Sequence, residues 1–391
     1  SFGYQDNYSP EAWLASESFV ENVSRNINAS GQLRWDTPIK GLSLTGKAGV
    51  TYWTKYDKTY RAETYFDENK TVGPSTLNIW TSNNTNTILE ALVNYEKTFG
   101  SHDLKVLAGT SVEQTSNKGL EGYRNTFPNN ALYQLGAGDA STATNSSSLE
   151  EYALVSFFGR VNYAFKDKYL LEANLRYDGS SRFAKDNRWG IFPSVSAGWR
   201  ISEENFWKNT RAGEVVNNLK LRASYGVLGN QNIGVYPYQQ TYDLDHNYPL
   251  GNPATLVPGT YVSTYRNQDL TWEKTAITNV GLDFGLFNNT LNGSIEYFYK
   301  YTSDILAPVE KAGILGQNVS ESNVGAVSNK GIEVNLSYNG RIGRDFQFSI
   351  APNFTWVKNA VEELANGATE EINNNRIVGQ PIGIIYGYQT E

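Results

Sequence analysis

Few side chains in this sequence are of the types that carry covalent catalysis. It has no cysteine and only two histidines, His102 and His246, which excludes disulfides, thiolate metal sites and cysteine nucleophiles. No Gly-x-Ser-x-Gly segment marks a serine nucleophile. Adjacent carboxylates occur at Glu203-Glu204, Glu362-Glu363 and Glu370-Glu371, but a glycosidase needs a fixed spatial separation between its two carboxyl groups. We therefore predict no catalytic residue and no enzyme.

Two segments resemble parts of ion-binding or phosphate-binding loops. Gly226-Val227-Leu228-Gly229 and Gly234 are rich in glycine, but no Gly-Lys-Ser/Thr follows them and no helix pattern begins there. Asp243, Asp245 and Asn247 have calcium-type spacing, yet the glycine and the distal glutamate of an EF-hand are missing. The sequence predicts neither a metal site nor a cofactor.

The segment from Gly226 to Leu270 is the best candidate for recognition. Six tyrosines lie there among Asn, Gln and Asp residues: Tyr236, Tyr238, Tyr242, Tyr248, Tyr261 and Tyr265. Aromatic rings stack on sugars or peptides while neighbouring amides form hydrogen bonds. These tyrosines are candidates for contacting substrate or a covering partner. Packing of the segment against itself is an equally good interpretation.

The elements that carry these residues alternate between apolar and polar positions. In 169–178 the odd positions are apolar and most even positions are polar or charged, and the same period recurs in 155–165, 219–225, 280–286, 291–301 and 332–338. Aromatic residues make up 13% of the chain and the formal charge is −7, which gives no basic surface for nucleic acid. This pattern predicts an all-β, antiparallel transmembrane barrel, in which strands face lipid on one side and water on the other.

The alternation assigns side chains to two faces. We expect the lipid-facing positions to include Leu171, Leu175, Leu221, Leu282, Phe284, Ile295 and Phe348. We expect four arginines on the lumen face, namely Arg160, Arg176, Arg200 and Arg222. These arginines either contact substrate or pair with carboxylates of neighbouring strands and of a plug, and pairing is the favoured interpretation.

Short turns alternate with long polar connections along the chain. The long ones are predicted at 56–83, 117–148, 228–270, 305–328 and 360–376. Outer-membrane barrels place short turns in the periplasm and long loops outside, so the alternation gives the chain a direction. One long connection, Ser202 to Asn218, falls on the periplasmic side and is predicted to be a short interfacial helix. A soluble β-sandwich or propeller is disfavoured because the segments run to about ten to fifteen residues, whereas soluble strands average about five or six.

Specific motifs support this interpretation and occur in order over residues 150–391. They are RVNY at 160–163, LRYDGSSRF at 175–183, FPSVSAGWR at 192–200, LRASYG at 221–226, GNQ at 229–231, LTWEK at 270–274, NKGIE at 329–333, and GQPIG with YGY at 379–388. These motifs resemble those of TonB-dependent transporters of the SusC/RagA family. Residues 1–149 fit by pattern alone.

The resemblance implies a Gram-negative outer-membrane importer of oligosaccharides or peptides. It implies a plugged barrel of about 22 strands, a SusD-like lipoprotein over the loops, and TonB acting through the plug. About twelve to fourteen strands are visible here, and a sheet cannot leave an open edge in lipid. We therefore expect residues 1–391 to be one part of the barrel domain, without the plug, N-terminal domains and last strands. The alternatives are a soluble or surface-attached glycan-binding protein and a passive porin.

Overall fold

The computed structural model describes residues 10–67, 70–309, 318–385 and 387. Tyr386 and Tyr388 of the last motif lie outside these residues. The chain consists of two compact units. One comprises 10–33, 47–89 and 112–153, and the other comprises 34–46, 90–111 and the chain from 154 onward.

The described chain consists mainly of strands. In chain order the helices and strands are α1 (Pro10–Ala15), β1 (Phe19–Asp36), β2 (Leu42–Arg61), β3 (Thr64–Asp67), β4 (Lys70–Val72), β5 (Thr76–Phe99), β6 (His102–Asn125), β7 (Thr144–Phe165), β8 (Tyr169–Ser180), β9 (Trp189–Arg200), α2 (Asn205–Lys208), α3 (Arg211–Val215), β10 (Val216–Asn230), β11 (Thr241–Leu250), β12 (Thr255–Tyr265), β13 (Glu273–Leu286), β14 (Leu291–Ser303), β15 (Leu306–Ala307), β16 (Asn318–Val319), β17 (Ser322–Asn323), β18 (Ala326–Ile342), β19 (Phe346–Ile350), β20 (Asn353–Glu363), β21 (Glu370–Glu371) and β22 (Arg376–Ile377). Within the described residues, no helix is long and apolar enough to cross a lipid bilayer.

Thirteen strands form one sheet, and the second unit contains a segment of each of them. Their order is β1-β2-β5-β6-β7-β8-β9-β10-β13-β14-β18-β19, and β20 also pairs with β18. Strands β7 to β10, β13, β14 and β18 are joined by antiparallel ladders. The thirteen strands agree with the predicted twelve to fourteen, and their order in the sheet follows their order in the chain.

The register brings apolar residues of the second unit into continuous rows on one face of the sheet. One row of directly paired residues runs Tyr163, Leu171, Ala197, Ala223, Val280, Tyr297, Ile332 and Trp356. The adjacent row on the same face runs Phe165, Tyr169, Trp199, Leu221, Leu282, Ile295, Val334 and Phe354. A shift of one residue in the pairing would turn the apolar side chains of a strand to the opposite face. The apolar side chains stay on one face across eight strands, which confirms the predicted period of two.

The opposite face of these strands carries polar and small residues. One row runs Asn162, Glu172, Ser196, Ser224 and Asn279, and the next runs Ala164, Leu170, Gly198, Arg222, Gly281, Glu296 and Glu333. We call these the apolar face and the polar face of the second unit.

Several strands are longer than the predicted ten to fifteen residues. Strands β5 and β6 have 24 residues each, so the expected loops 56–83 and 117–148 were wrong in extent. In the first unit, polar pairs continue the ladder where the apolar alternation has ended. The Ser82 hydroxyl donates to Asn117 at 3.0 Å and the Asn86 amide donates to Thr115 at 2.9 Å.

Other connections also contain more structure than the sequence indicated. Segment 228–270 holds the antiparallel pair β11 and β12, and 360–376 holds the pair β21 and β22. Segment 305–328 is described only in part. The expected single helix at Ser202–Asn218 is a 3₁₀ turn at Ile201–Glu203 followed by α2 and α3.

Buried side chains concentrate at the strand ends next to the long connections. In the second unit Phe183, Phe192, Ile233, Leu270 and Trp272 form one core cluster, which we call the motif cluster. In the first unit Tyr60, Ala62, Leu77 and Phe127 form another. The middle of the apolar face has no such cover, and its large side chains stay exposed, as they would be where lipid is the solvent.

Candidate functional site

Arg222 is the centre of an ion-pair network on the polar face. Its Nε lies 3.1 Å from Oδ1 of Asp283 and its Nη2 lies 2.5 Å from Oε2 of Glu296. Asp283 also lies 3.5 Å from Nζ of Lys220. Glu296 is on β14, two strands away from Arg222. The arginine side chain can reach it because the intervening position on β13 is Gly281, which has no side chain. A Cβ at Gly281 would stand 2.7 Å from Cζ of Arg222.

A hollow of about 480 Å³ lies on the polar face beside this network. Charged and amide residues line it, including Lys105, Glu172, Lys220, Arg222 and Asn279. Serine and glycine at 196, 198 and 224 leave the space open between the longer side chains. The hollow offers hydrogen-bond donors and acceptors together with side chains of both charges, which suits the binding of a polar segment by hydrogen bonds.

The other three arginines of the predicted lumen set contact nearby protein groups. Arg160 donates from Nε to Asn174 at 2.6 Å. Arg176 donates to Asp178 at 2.7 Å and to the Ser156 hydroxyl at 2.7 Å. Arg200 donates to the carbonyl of Asp167 at 3.1 Å. The four arginines therefore lie at separate places on the sheet, and only Arg222 bridges three strands.

The seven predicted lipid-facing residues lie in strands of the second unit. Leu171, Leu175, Leu221 and Ile295 are exposed, and Leu282, Phe284 and Phe348 are half-buried. Leu282 pairs directly with Leu221 and with Ile295. The Phe348 ring lies over Gly340, where a side chain would occupy the same space.

The six candidate tyrosines fall into two groups rather than one. Tyr236 and Tyr238 form an edge-on ring pair with centroids 6.0 Å apart, ahead of the hairpin. Tyr242, Tyr248, Tyr261 and Tyr265 lie on the β11–β12 hairpin. Tyr242 pairs with Val262, Tyr248 with Val257, and Tyr261 with Asp243.

The hairpin itself contains an aromatic contact that the sequence did not reveal. The His246 ring lies 4.2 Å from the Tyr261 ring, and His246 Nδ1 lies 3.8 Å from Oδ1 of Asp243. Of the calcium-type triplet, Asp243 thus faces an imidazole, and the Asp245 side chain lies outside the described part of the chain. Among the described residues, no group of three His, Cys, Asp or Glu side chains is placed to hold a metal ion.

Apolar side chains project from the hairpin into solvent. Tyr242 is 60% exposed and Leu244 and Leu256 are each 71% exposed. Exposed large apolar side chains that lie together in one element often mark an interaction surface. This hairpin is therefore a candidate for partner or substrate contact.

The sequence motifs converge in the motif cluster. Phe183 belongs to LRYDGSSRF, Phe192 to FPSVSAGWR, and Leu270 and Trp272 to LTWEK. The Trp272 indole donates to the carbonyl of Arg188 at 3.0 Å. Sequence reasoning found these motifs separately but did not bring them together, because the contacts join positions up to 89 residues apart, as between the rings of Phe183 and Trp272.

Asn323 ties this region to the next connection. Its side chain accepts from the Thr271 amide at 2.8 Å and donates to the carbonyls of Thr271 at 2.8 Å and Asp304 at 2.9 Å. One amide group thus satisfies three backbone groups, which fixes the segment after β14 against the start of β13.

Glu204 is the most strongly perturbed carboxylate of the described connections. It accepts hydrogen bonds from Tyr169 Oη at 2.6 Å, Lys168 Nζ at 2.9 Å and Trp199 Nε1 at 3.2 Å. These three bonds lower the pKa of Glu204 to about 2. Its neighbour Glu203 pairs instead with Lys208 at 2.5 Å, which also lowers the pKa of Glu203.

The other adjacent carboxylates also contact protein groups. Glu362 accepts from the Ser328 hydroxyl at 2.5 Å, and Glu371 lies 3.5 Å from Arg376. Each of the three pairs thus has a carboxylate engaged in a structural hydrogen bond or ion pair.

Comparison with known proteins agrees with this geometry. The chain is 35% identical over 286 residues to the TonB-dependent receptor SusC of Bacteroides thetaiotaomicron, which covers 70% of the chain and 27% of SusC. It is 34% identical over 319 residues to the TonB-dependent receptor P3 of Formosa agariphila, covering 78% of the chain and 31% of that receptor. The chain thus spans about a third of the length of these curated relatives.

Solved structures give the same result. The RagAB peptide transporter matches 97% of this chain with a TM-score of 0.86 and 26% identity, and the chain covers 42% of that protein. A family model described as "TonB dependent receptor-like, beta-barrel" matches residues 1–389. The resemblance predicted from the motifs is therefore confirmed, and so is the location in the outer membrane. The chain belongs to the β-barrel family of TonB-dependent receptors.

Proposed function

We propose that this chain forms part of the barrel wall of a SusC/RagA-type importer that carries oligosaccharides or peptides across the outer membrane. The observation that carries the proposal is the two-faced sheet, which follows the RagAB transporter over 97% of the chain. One face presents rows of apolar side chains suited to lipid. The other presents serines, asparagines and ion pairs suited to a water-filled lumen.

The remaining wall of the barrel comes, in this proposal, from other parts of the same protein. The strand order begins at β1 and ends at β19 and β20. Edge strands in lipid would leave backbone groups unpaired at a cost of several kcal/mol each. Additional strands that close a barrel of about 22, together with a plug inside it, satisfy this requirement.

The transport cycle requires no covalent step. A SusD-like lipoprotein opens over the connections at the loop end and captures the substrate, and TonB then displaces the plug. The polar hollow beside Arg222 supplies hydrogen-bonding groups along the wall. We propose that the protein is not an enzyme, in keeping with the transporters and receptors to which it is related.

The β11–β12 hairpin is the proposed contact region of the lipoprotein or of the substrate. Tyr242, Tyr248 and Tyr265 are exposed on it, beside Leu244 and Leu256. An exposed apolar hairpin at the loop end is suited to a large partner, since aromatic and aliphatic side chains dominate interface energetics.

Deletion of the full-length gene in the native bacterium tests the import function. We expect the deletion strain to lose uptake of one labelled class, either oligosaccharides or peptides, and to regain it from a plasmid copy. Loss of uptake should also follow when TonB is removed. Uptake of both classes unchanged from wild type would overturn the proposal.

Fractionation of the same cells separates the proposal from its alternatives. We expect the protein in the outer-membrane fraction, soluble only in detergent and co-purifying with a surface lipoprotein. A protein that stays monodisperse in buffer without detergent would favour the glycan-binding alternative. Uptake independent of TonB would favour the passive porin.

A further inference from the structure

The connection between β9 and β10 differs from its neighbours at the same end of the sheet. Residues 166–168 and 287–290 join their strands by tight turns. The β9–β10 connection instead contains the 3₁₀ turn Ile201–Glu203, α2 and α3. We call residues 201–215 the rim segment, and the whole of it belongs to the second unit.

The rim segment begins against the apolar face of the sheet, not against the polar face. Tyr169 and Trp199 are paired across β8 and β9, in the same row as Leu221. Both donate hydrogen bonds to Glu204, at 2.6 Å and 3.2 Å. Because both donors lie on the apolar face, their hydrogen bonds hold Glu204, and the start of the rim segment with it, at the side of the sheet that faces lipid.

Two phenylalanines lie exposed beyond the strand ends. Phe206 is 60% exposed, with its ring centroid 6.3 Å from that of Trp199. Phe287, in the turn between β13 and β14, is 59% exposed, and its amide donates to the carbonyl of Val215 at 2.9 Å. An exposed aromatic ring gains free energy when apolar surroundings take it out of water, and the described chain leaves more than half of each side chain exposed.

The charges of the rim segment do not favour a polyionic partner. The segment carries three carboxylates and two cations; Lys208 is paired with Glu203 at 2.5 Å and Glu204 with Lys168 at 2.9 Å. The indole of Trp207 turns inward and donates to the carbonyl of Val216 at 3.0 Å. What remains exposed beside the membrane face is an aromatic surface with hydrogen-bonding groups next to it, which suits the boundary between headgroups and acyl chains.

We propose that the rim segment is a membrane anchor, in which Phe206 inserts into the phospholipid leaflet at the turn end of the barrel. Glu204 acts as the latch that holds the segment against Tyr169 and Trp199. The ligand is the phospholipid itself, bound through apolar contact and not through headgroup charge. The anchor depends on the membrane location of the family and not on the import activity.

Fluorescence quenching in nanodiscs tests the anchor with the full-length protein. A cysteine variant Phe206→Cys, made after replacing any cysteine elsewhere in the protein, carries an environment-sensitive fluorophore. The matched control is Asn209→Cys, an exposed polar position at the C-terminal end of α2. Quenchers are a phosphatidylcholine with a doxyl group near the headgroup and, separately, iodide in the buffer.

We expect several-fold stronger lipid quenching at position 206 than at 209, with the reverse order for iodide. Raising the salt concentration should leave the lipid quenching unchanged, because apolar contact is not screened. The second substitution Glu204→Gln should weaken lipid quenching at 206 by releasing the latch. Equal iodide quenching at both positions would overturn the anchor.

Protection of position 206 from both quenchers would also overturn it, since the segment would then be covered by protein. These readouts are independent of transport. A loss of uptake with lipid quenching lost at 206 but retained elsewhere on the barrel would link the anchor to function. Uptake of both substrate classes unchanged on gene deletion, with lipid quenching intact, would contradict the proposed function and leave the anchor standing.

Discussion

Arg222 on β10 forms an ion pair with Glu296 on β14, although β13 lies between the two strands. The pair exists because Gly281 lacks the Cβ that would stand 2.7 Å from the arginine Cζ. A glycine inside a strand normally weakens it. Here it opens a path for a side chain to connect three strands on the polar face.

Adding a side chain at Gly281 should break this connection. We expect Gly281→Ala to displace the Arg222 guanidinium from Glu296 and to lower the free energy of unfolding by about 1 kcal/mol or less, because the crowded atoms are the end of a flexible side chain. Urea unfolding of the full-length protein in detergent measures the change. The control is Gly46→Ala, because no atom lies within 4 Å of a Cβ at Gly46. Equal stability of the two variants would show that Arg222 does not need the gap.

Loss of the Asn323 side chain should loosen the loop end of β13. Asn323→Ala leaves two carbonyls and one amide without their partner, and we expect a cost of about 1–3 kcal/mol. Limited proteolysis should cut this region several times faster than in the wild type. Asn232→Ala, at a neighbouring connection, is the control and should be cut at the wild-type rate. A similar rate in both variants would contradict the bridging role.

Acid should release the Glu204 latch. The pKa of Glu204 in the folded chain is about 2, below its ordinary value of 4.5. Its ionised form therefore stabilises the folded chain above pH 4.5, and this contribution is lost as the pH falls towards 2. Glu204→Gln should flatten the pH dependence of stability over this range, measured by thermal unfolding at successive pH values. An unchanged profile would show that the three hydrogen bonds do not contribute to stability.

Charge placed on the apolar face should cost more than charge on the polar face. We expect Tyr225→Arg to lower stability in lipid by about 2–4 kcal/mol, because Tyr225 lies on the apolar face four residues further from the turn end than Leu221, towards the bilayer midplane. Ser224→Arg lies on the same strand but on the opposite face, and we expect a much smaller effect. Folding yield into vesicles measures both. Equal yields would overturn the assignment of the faces.

Exposed tyrosines of the β11–β12 hairpin should contribute to partner or substrate binding. We expect the double substitution Tyr242→Ala and Tyr248→Ala to weaken binding about tenfold or more, since buried interface aromatics are each worth over about 1 kcal/mol. Thr260→Ala on the same hairpin is the control. Binding of the purified lipoprotein and of substrate, measured separately, distinguishes the two roles. Unchanged affinity for both would remove the hairpin from the site.

The sequence by itself determined the strands and their two faces. The alternation at 169–178 and 280–286 is local, so it specifies which side chains share a face before any partner strand is known. The turns at 166–168 and 287–289 could be placed for the same reason, since they interrupt that period. The family motifs then identified the kind of barrel.

Only the tertiary structure decided what crosses from one strand or connection to another. The path from Arg222 to Glu296 depends on the register that sets Gly281 between them. The polar ends of β5 and β6 were missed because they lack the apolar alternation that marks strands in the membrane. Tyr242, Leu244 and Tyr248 of β11 have that alternation, but it does not indicate the partner strand β12. The side chains of Tyr169, Trp199 and Glu204 come together from three separate segments of the chain. Such contacts depend on distances in space, which the period of a single strand does not contain.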